Sequence, residues 1–152
     1  MKQIKIRNFS TGVGVSQTIA EIEKILLAIG AESIVKQYHG DSRVKSIAFQ
    51  IQINEEKKGF MLPANVENVI TIFKIYQAEW HLPKDEFKLK EQAERVAWRI
   101  IKDWLHAQLS LIQVGQAQPE QIFLPYMWDG KRTLYEALKE RNFNLALPER
   151  ER

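Results

Sequence analysis

Three histidines, at positions 39, 81 and 106, are the side chains best suited to bind a metal ion or to carry a proton. Their spacing matches no metal-binding motif, and the chain has no cysteine that could complete a site. His39 lies close to Asp41 and Ser42 in sequence, which brings together the residue types of a hydrolase. A turn of four residues cannot hold a nucleophile against a supported base, so we interpret this stretch as a hairpin turn.

A glycine-containing loop and the scattered carboxylates complete the search for catalytic chemistry. Gly12-Val13-Gly14 lacks the third glycine of a dinucleotide-binding loop and the Lys-Ser/Thr pair of a phosphate loop. The acidic residues are spread along the chain, and no pair can be placed at the separation that acid-base or two-metal catalysis needs. The sequence therefore predicts no catalytic residue, no metal and no cofactor, and we expect a protein that is not an enzyme.

Basic residues on a predicted strand and on predicted hairpin turns form a candidate nucleic-acid-binding surface. They are Lys5, Arg7, Arg43, Lys45, Lys57 and Lys58. If the sheet is continuous, these cations can gather at its edge and turns and contact phosphates. The alternative is that solvated turns carry lysine for solubility, and Glu55 and Glu56 weaken the local field.

A second candidate surface lies on a predicted long helix. It comprises Arg95, Trp98, Arg99 and Lys102. Trp98 between basic residues could stack on a base or on a partner's side chain. The alternative is that Trp98 belongs to the hydrophobic core, with Arg99 paired to Asp103 on the same helix.

The elements that must position these residues follow from hydrophobic periodicity. In the amino-terminal half, the pattern predicts an α+β fold in the order β-α-β-β-β-α. Its predicted elements are a strand at 4–7, a helix at 18–29 capped by Thr18 and Glu21, a strand at 31–38, a strand at 47–53, a charged turn at 54–59, a strand at 60–62 and a helix at 65–80. We expect a small antiparallel sheet with both helices on one face.

The carboxy-terminal half is predicted to contain a long helix and a short helical tail. The long helix spans about 84–114, and Trp104 is expected to be fully buried on it. A short turn near 120–124 and a last helix over 133–141 follow. We expect one α+β domain over 1–152, with the sheet and two helices in 1–82 and the long helix and packed tail in 83–152.

Composition sets the class of protein. The 152 residues are 45% hydrophobic and 27% charged, which is typical of a globular domain, and the net charge is only +3. The absence of cysteine suits a reducing compartment. No signal-peptide pattern and no apolar run of ~18 residues is present, so we expect a cytoplasmic protein with no membrane association.

Several stretches resemble a widespread family of small, functionally uncharacterised bacteriophage and prophage proteins. They are 18–22 with Gly30-Ala31, 60–66, 93–104 with 107–109, 123–127 and 133–138. The resemblance implies an accessory protein of a mobile element and supplies no catalytic residue. The α-β-β-β-α order over 18–80 also resembles double-stranded-RNA-binding domains. Asn65 and Glu67 stand where that family has basic residues, so we do not assign the chain to it.

These observations favour a non-enzymatic phage accessory protein whose partner is DNA or RNA. Two alternatives remain: an inhibitor that docks on a host defence, replication or transcription protein, and a sponge that sequesters a nucleotide signal. A basic pocket lined by aromatic residues would favour nucleotide sequestration, whereas an exposed apolar patch around the tail aromatics would favour a protein partner.

Overall fold

A three-stranded antiparallel sheet and five α-helices make up the computed structural model, which describes residues 4–145. The α+β class, the small sheet and the long helix are as predicted. The elements are α1 (Val15–Ile29), β1 (Ala31–Tyr38), β2 (Val44–Ile53), β3 (Glu56–Pro63), α2 (Val66–Tyr76), α3 (Glu86–Gln113), α4 (Pro119–Phe123), a 3-10 turn (Leu124–Tyr126) and α5 (Leu134–Glu140). No helix within this range is long and apolar enough to cross a bilayer.

Strand β2 lies in the centre of the sheet, with β1 and β3 on either side. The buried side of the predicted alternation is confirmed at Ile47, Phe49 and Ile51, whereas Ser46 and Ala48, predicted on the wetter side, are buried as well. The second turn is shorter than predicted. Asn54 and Glu55 both have left-handed backbone conformations, with φ of 51° and 70°, and they close the hairpin alone. Strand β3 therefore begins at Glu56.

The amino-terminal segment differs from the prediction. Residues 4–6 have no regular structure and residues 7–10 form a turn, so the strand predicted at 4–7 is absent. The segment runs along α3 instead, where the Gln92 side chain donates hydrogen bonds to the carbonyl oxygens of Phe9 and Thr11. Helix α1 begins at Val15 rather than at 18, which leaves Thr18 buried inside the helix and not at its cap.

The first core fills the space between one face of the sheet and helices α1 and α3. Apolar side chains from α1 pack against β2 and β3, with Trp98, Leu105 and Phe123 between them. Phe49, Phe60 and Phe123 form a mutually contacting group with ring centroids 5.1–5.8 Å apart. Helix α1 ends as predicted at Gly30, whose φ of 118° is a left-handed conformation that favours glycine.

A second core lies on the other side of α3. Val66, Val69 and Phe73 of α2 pack there against Leu89, Ala93 and Val96 of α3. Trp80 stacks on Tyr76 at 4.9 Å and contacts Phe9 of the amino-terminal segment. The expectation that α2 covers the sheet is wrong, because its apolar side chains pack on α3 and the second core contains no strand residue.

The tryptophans of α3 are buried to different extents. Trp98 is 1% exposed in the first core, whereas Trp104 is half-buried against Phe123 and Tyr126. The expectation of full burial therefore applies to Trp98 and not to Trp104. Trp104 lies further along α3, where the tail covers it only in part.

Replacing Trp98 with Ala is expected to lower the free energy of unfolding by ~3–5 kcal/mol, because a fully buried aromatic leaves a large cavity. Trp104→Ala should cost less, since its ring is partly solvated already. Urea denaturation followed by circular dichroism measures both. A larger loss for Trp104→Ala than for Trp98→Ala would contradict this assignment of the core.

Candidate nucleic-acid interface

The six basic residues predicted as one surface are divided between distant parts of the fold. Arg43 and Lys45 lie at the end of the sheet where β1 turns into β2. Lys57 and Lys58 lie at the opposite end, paired with Gln52 and Ile51 of β2. With ~3.3 Å per strand residue, roughly 20 Å separates the two groups. The prediction of a single cluster is therefore wrong.

Arg7 attaches the amino-terminal segment to α3. Its Nε lies 2.7 Å from Oδ2 of Asp103, and the Asn8 side chain donates to the same oxygen at 2.8 Å. Partial burial raises the pKa of Asp103, but the hydrogen bonds from Asn8 and Arg7 outweigh it and hold that pKa below its usual value. Lys5 lies 4.9 Å from the ring centroid of Phe9. Both cations thus contact the protein itself.

Arg43 connects the first hairpin turn to α3. Its Nη1 is 2.5 Å from Oε1 of Glu94, and its Nε is 2.6 Å from Oδ2 of Asp41. The hydrogen bonds that Arg43 donates to Glu94 and Asp41 raise its pKa. Reversing the charge of Arg43 would therefore disturb the fold as well as the binding of any ligand. Lys45 is exposed beside it.

The second predicted surface, on α3, is largely internal. Trp98 is buried in the first core and cannot stack on a ligand. Arg99 forms an ion pair with Glu21 of α1, and Lys102 lies 3.5 Å from Asp103 with its side chain only 16% exposed. Burial raises the pKa of Glu21, but Arg99 and Lys102 outweigh this effect and lower it. Arg95, the fourth residue of this predicted surface, donates two hydrogen bonds to the Gln92 side chain. This cluster joins α3 to α1.

A short hairpin from the tail extends the sheet beside β3, and we call residues 127–133 the tail hairpin. Met127 bridges to Phe60, and the backbone N–H of Trp128 donates to the Gly59 carbonyl at 2.9 Å. Trp128 in turn bridges to Thr133. A Cβ at position 59 would lie 3.4 Å from the Trp128 carbonyl oxygen, so the tail hairpin packs directly over this position of β3.

The loop of the tail hairpin is held by Asp129. Its Oδ1 accepts backbone hydrogen bonds from Lys131 and Arg132, both at 2.9 Å. These two N–H groups lower the pKa of Asp129. With Gly130 in a left-handed conformation at φ 96°, the loop presents two cations beside β3.

Lys57 and Lys58 line a groove of about 390 Å³ together with Arg132 of the tail hairpin. We call it the basic groove. Lys57 is 3.6 Å from Glu32, Lys58 is 2.6 Å from Glu56, and Arg132 pairs with Glu140. These are surface pairs, with Lys57 63% exposed. Such pairs contribute only about 0–1 kcal/mol, so the three cations can exchange their partners for a phosphate.

A second groove, of about 410 Å³, crosses the outer face of the sheet, which neither core covers. We call it the sheet groove. Ser33, Gln50 and Gly59 lie opposite one another across the three strands, and Ala48 lies in the next row. Trp128 lines both the sheet groove and the basic groove. An aromatic residue therefore separates an open sheet face from a group of cations.

A third groove, of about 440 Å³, has Thr133 of the tail hairpin in its lining. It is mainly apolar and is lined by Met61, Pro63, Pro125, Tyr126 and Tyr135 among others. We call it the apolar groove. Its Tyr135 is exposed and contacts Phe143, which is also exposed.

The sequence prediction missed Trp128 and Arg132. The signal was present, because Asp129-Gly130 is a strong hairpin dipeptide and Lys131-Arg132 follows it directly. Metal chemistry has no support in residues 4–145, where no three potential ligands come together. Comparisons with protein-family models, with curated proteins and with solved structures found no match for this chain.

Asp103→Asn is expected to reduce the dependence of stability on pH. A carboxylate with a lowered folded pKa stabilises the fold above its unfolded pKa of about 3.9, and that contribution is lost as the pH falls through the folded pKa. The free energy of unfolding of the wild type should therefore exceed that of the variant at pH 5, and this difference should disappear as the pH falls to 2. Urea midpoints across this range measure it, and a constant difference would contradict the role of Asp103.

Proposed function

We propose that this protein binds nucleic acid and performs no catalysis, and that it uses the basic groove beside the tail hairpin. The observation that carries the proposal is the convergence of Lys57, Lys58 and Arg132 on one groove next to Trp128. Cations that line a groove attract phosphate through their charge and release counterions on binding.

The contrast between cations that hold elements of the fold together and cations in exposed surface pairs supports this choice of surface. Arg7, Arg43 and Arg99 connect separate elements of the fold. Lys57 and Lys58 instead pair with carboxylates on the sheet surface. A phosphate at the basic groove replaces weak surface pairs, whereas a phosphate at Arg43 or Arg99 would have to break contacts that hold helices in place.

The biological setting that we propose is a bacteriophage or prophage, where the protein would serve as an accessory factor. The resemblance of segments 93–104 and 123–127 to small phage proteins supports this setting. Such a protein would act by occupying a target rather than by turnover.

A second candidate function is inhibition of a host protein, including a defence, replication or transcription component. The observation that favours it is the apolar groove with its exposed Tyr135. Exposed apolar surface around aromatic residues is typical of protein-binding sites. The linings of the basic groove and the apolar groove have only Thr133 in common, so the two candidates can be separated by mutation.

Lys57→Ala with Lys58→Ala is expected to weaken nucleic-acid binding and its salt dependence. Each lost phosphate contact reduces the slope of log K against log salt by ~0.7 for a single strand. Fluorescence anisotropy with single- and double-stranded DNA and RNA, at low and near-physiological salt, measures both effects. Lys84→Ala with Lys88→Ala is the matched control, because these lysines are exposed near the start of α3.

Two outcomes would overturn the proposal. Equal losses in the two double variants would show that any basic surface contributes and that the basic groove is not the site. If no nucleic acid binds with a Kd below about 100 μM at low salt, binding is weaker than ordinary non-specific association at ~10⁻⁴–10⁻⁶ M. Inhibition of a host protein would then become the leading hypothesis.

A further inference from the structure

We infer that the ligand of this surface is a single strand, with one unpaired base stacked on Trp128 and its phosphates at the basic groove. This inference rests on the proposed function and specifies its substrate class. The observation behind it is the position of Trp128, which lines the sheet groove and the basic groove at once. A nucleotide offers the same two chemistries, a flat base and an adjacent anionic phosphate.

The floor of the sheet groove suits a flat group. Ala48 has a small side chain, so a ring beside Trp128 can approach the strands closely there. Base-aromatic stacking is sequence-tolerant because every base has a π-face. The tail hairpin fixes the Trp128 backbone through its bond to Gly59, which limits the entropy lost on binding.

Polar side chains at the same floor can contact the edge of the stacked base. Gln50 lies directly between Ser33 and Gly59 in the sheet register. The side chains of Gln50 and Ser33 are exposed. An amide both donates and accepts hydrogen bonds, and a hydroxyl does the same, which matches the mixed edges of nucleobases.

A single strand fits this arrangement better than a duplex or a free nucleotide. In a duplex both faces of each base are already stacked, so none is available to Trp128 without unpairing. A free nucleotide would be held best in an enclosed pocket. Here the sheet groove and the basic groove are open surfaces that share Gly59 and Trp128, and a chain of nucleotides can follow them.

The test compares wild type with Trp128→Leu and Trp128→Phe. The probes are a labelled mixed-sequence single strand of about twelve nucleotides in DNA and RNA forms, the matching duplexes, and the four ribonucleoside triphosphates. Trp128→Leu should weaken single-strand binding by about 5- to 150-fold, the usual effect of removing one stacking aromatic. Trp128→Phe should retain part of the affinity, because a smaller ring still stacks.

Controls separate binding from folding. Phe87→Leu removes another exposed aromatic, at the start of α3, and should leave single-strand affinity unchanged. Far-UV circular dichroism and urea midpoints establish that the Trp128 variants fold. Quenching of tryptophan fluorescence by the single strand should be lost in Trp128→Phe, whereas Trp80, Trp98 and Trp104 remain in that variant.

The outcomes distinguish this inference from the proposed function. One outcome is that duplex and single strand bind alike, that Trp128→Leu binds as well as wild type, and that the Lys57/Lys58 variant binds more weakly. The single-strand inference is then wrong, but the proposal that the basic groove binds nucleic acid is retained. If triphosphates bind as tightly as the single strand, the ligand is a free nucleotide and the inference is again wrong. If no probe binds, both proposals fail.

Discussion

Helix α3 has to bury two opposed apolar faces, and the rest of the structure depends on how it does so. At about 100° per residue, Trp98 and Leu105 point in nearly the same direction, while Val96 points away from them. The first direction meets the sheet and α1, and the second meets α2. Polar residues on the same two sides of the helix then connect separate segments, as Glu94 does with Arg43 and Asp103 with Arg7. Basic residues of this helix such as Arg99 and Lys102 are thereby engaged in ion pairs within the protein.

The same arrangement leaves the outer face of the sheet exposed at Ser33 and Gln50. Because α1, α3 and Phe123 cover the inner face, the described helices place no core against the row of Ser33, Gln50 and Gly59. The tail hairpin then adds Trp128 and Arg132 at the β3 edge. The candidate site thus arises where a late segment of the chain meets an early hairpin.

Local sequence patterns predicted much of the fold and little of the site. The alternation around Phe49 and the stop at Gly30 are local signals, and both elements form as expected. The four residues at 4–7 were too few to distinguish a strand from an extended segment. The neighbouring residues Phe9 and Thr11 are held against α3 by hydrogen bonds from the Gln92 side chain. Which cation pairs with which carboxylate depends on tertiary contacts such as Arg43 with Glu94, which no sequence spacing encodes. Trp98 differs, because the apolar stripe of the helix already indicated a place in the core, and the structure confirms it.

The most direct test of a single-strand site at Trp128 is a ¹H–¹⁵N NMR titration with a short unlabelled oligonucleotide. The four indole N–H signals serve as internal reporters, since Trp80 and Trp98 are buried and Trp104 packs against Phe123. The account predicts that the Trp128 indole and the backbone amides of Lys57, Lys58 and Gly59 shift together, while the other three indoles stay in place. Shifts confined to α3 or to the turn at 39–43, with no change at Trp128, would contradict it.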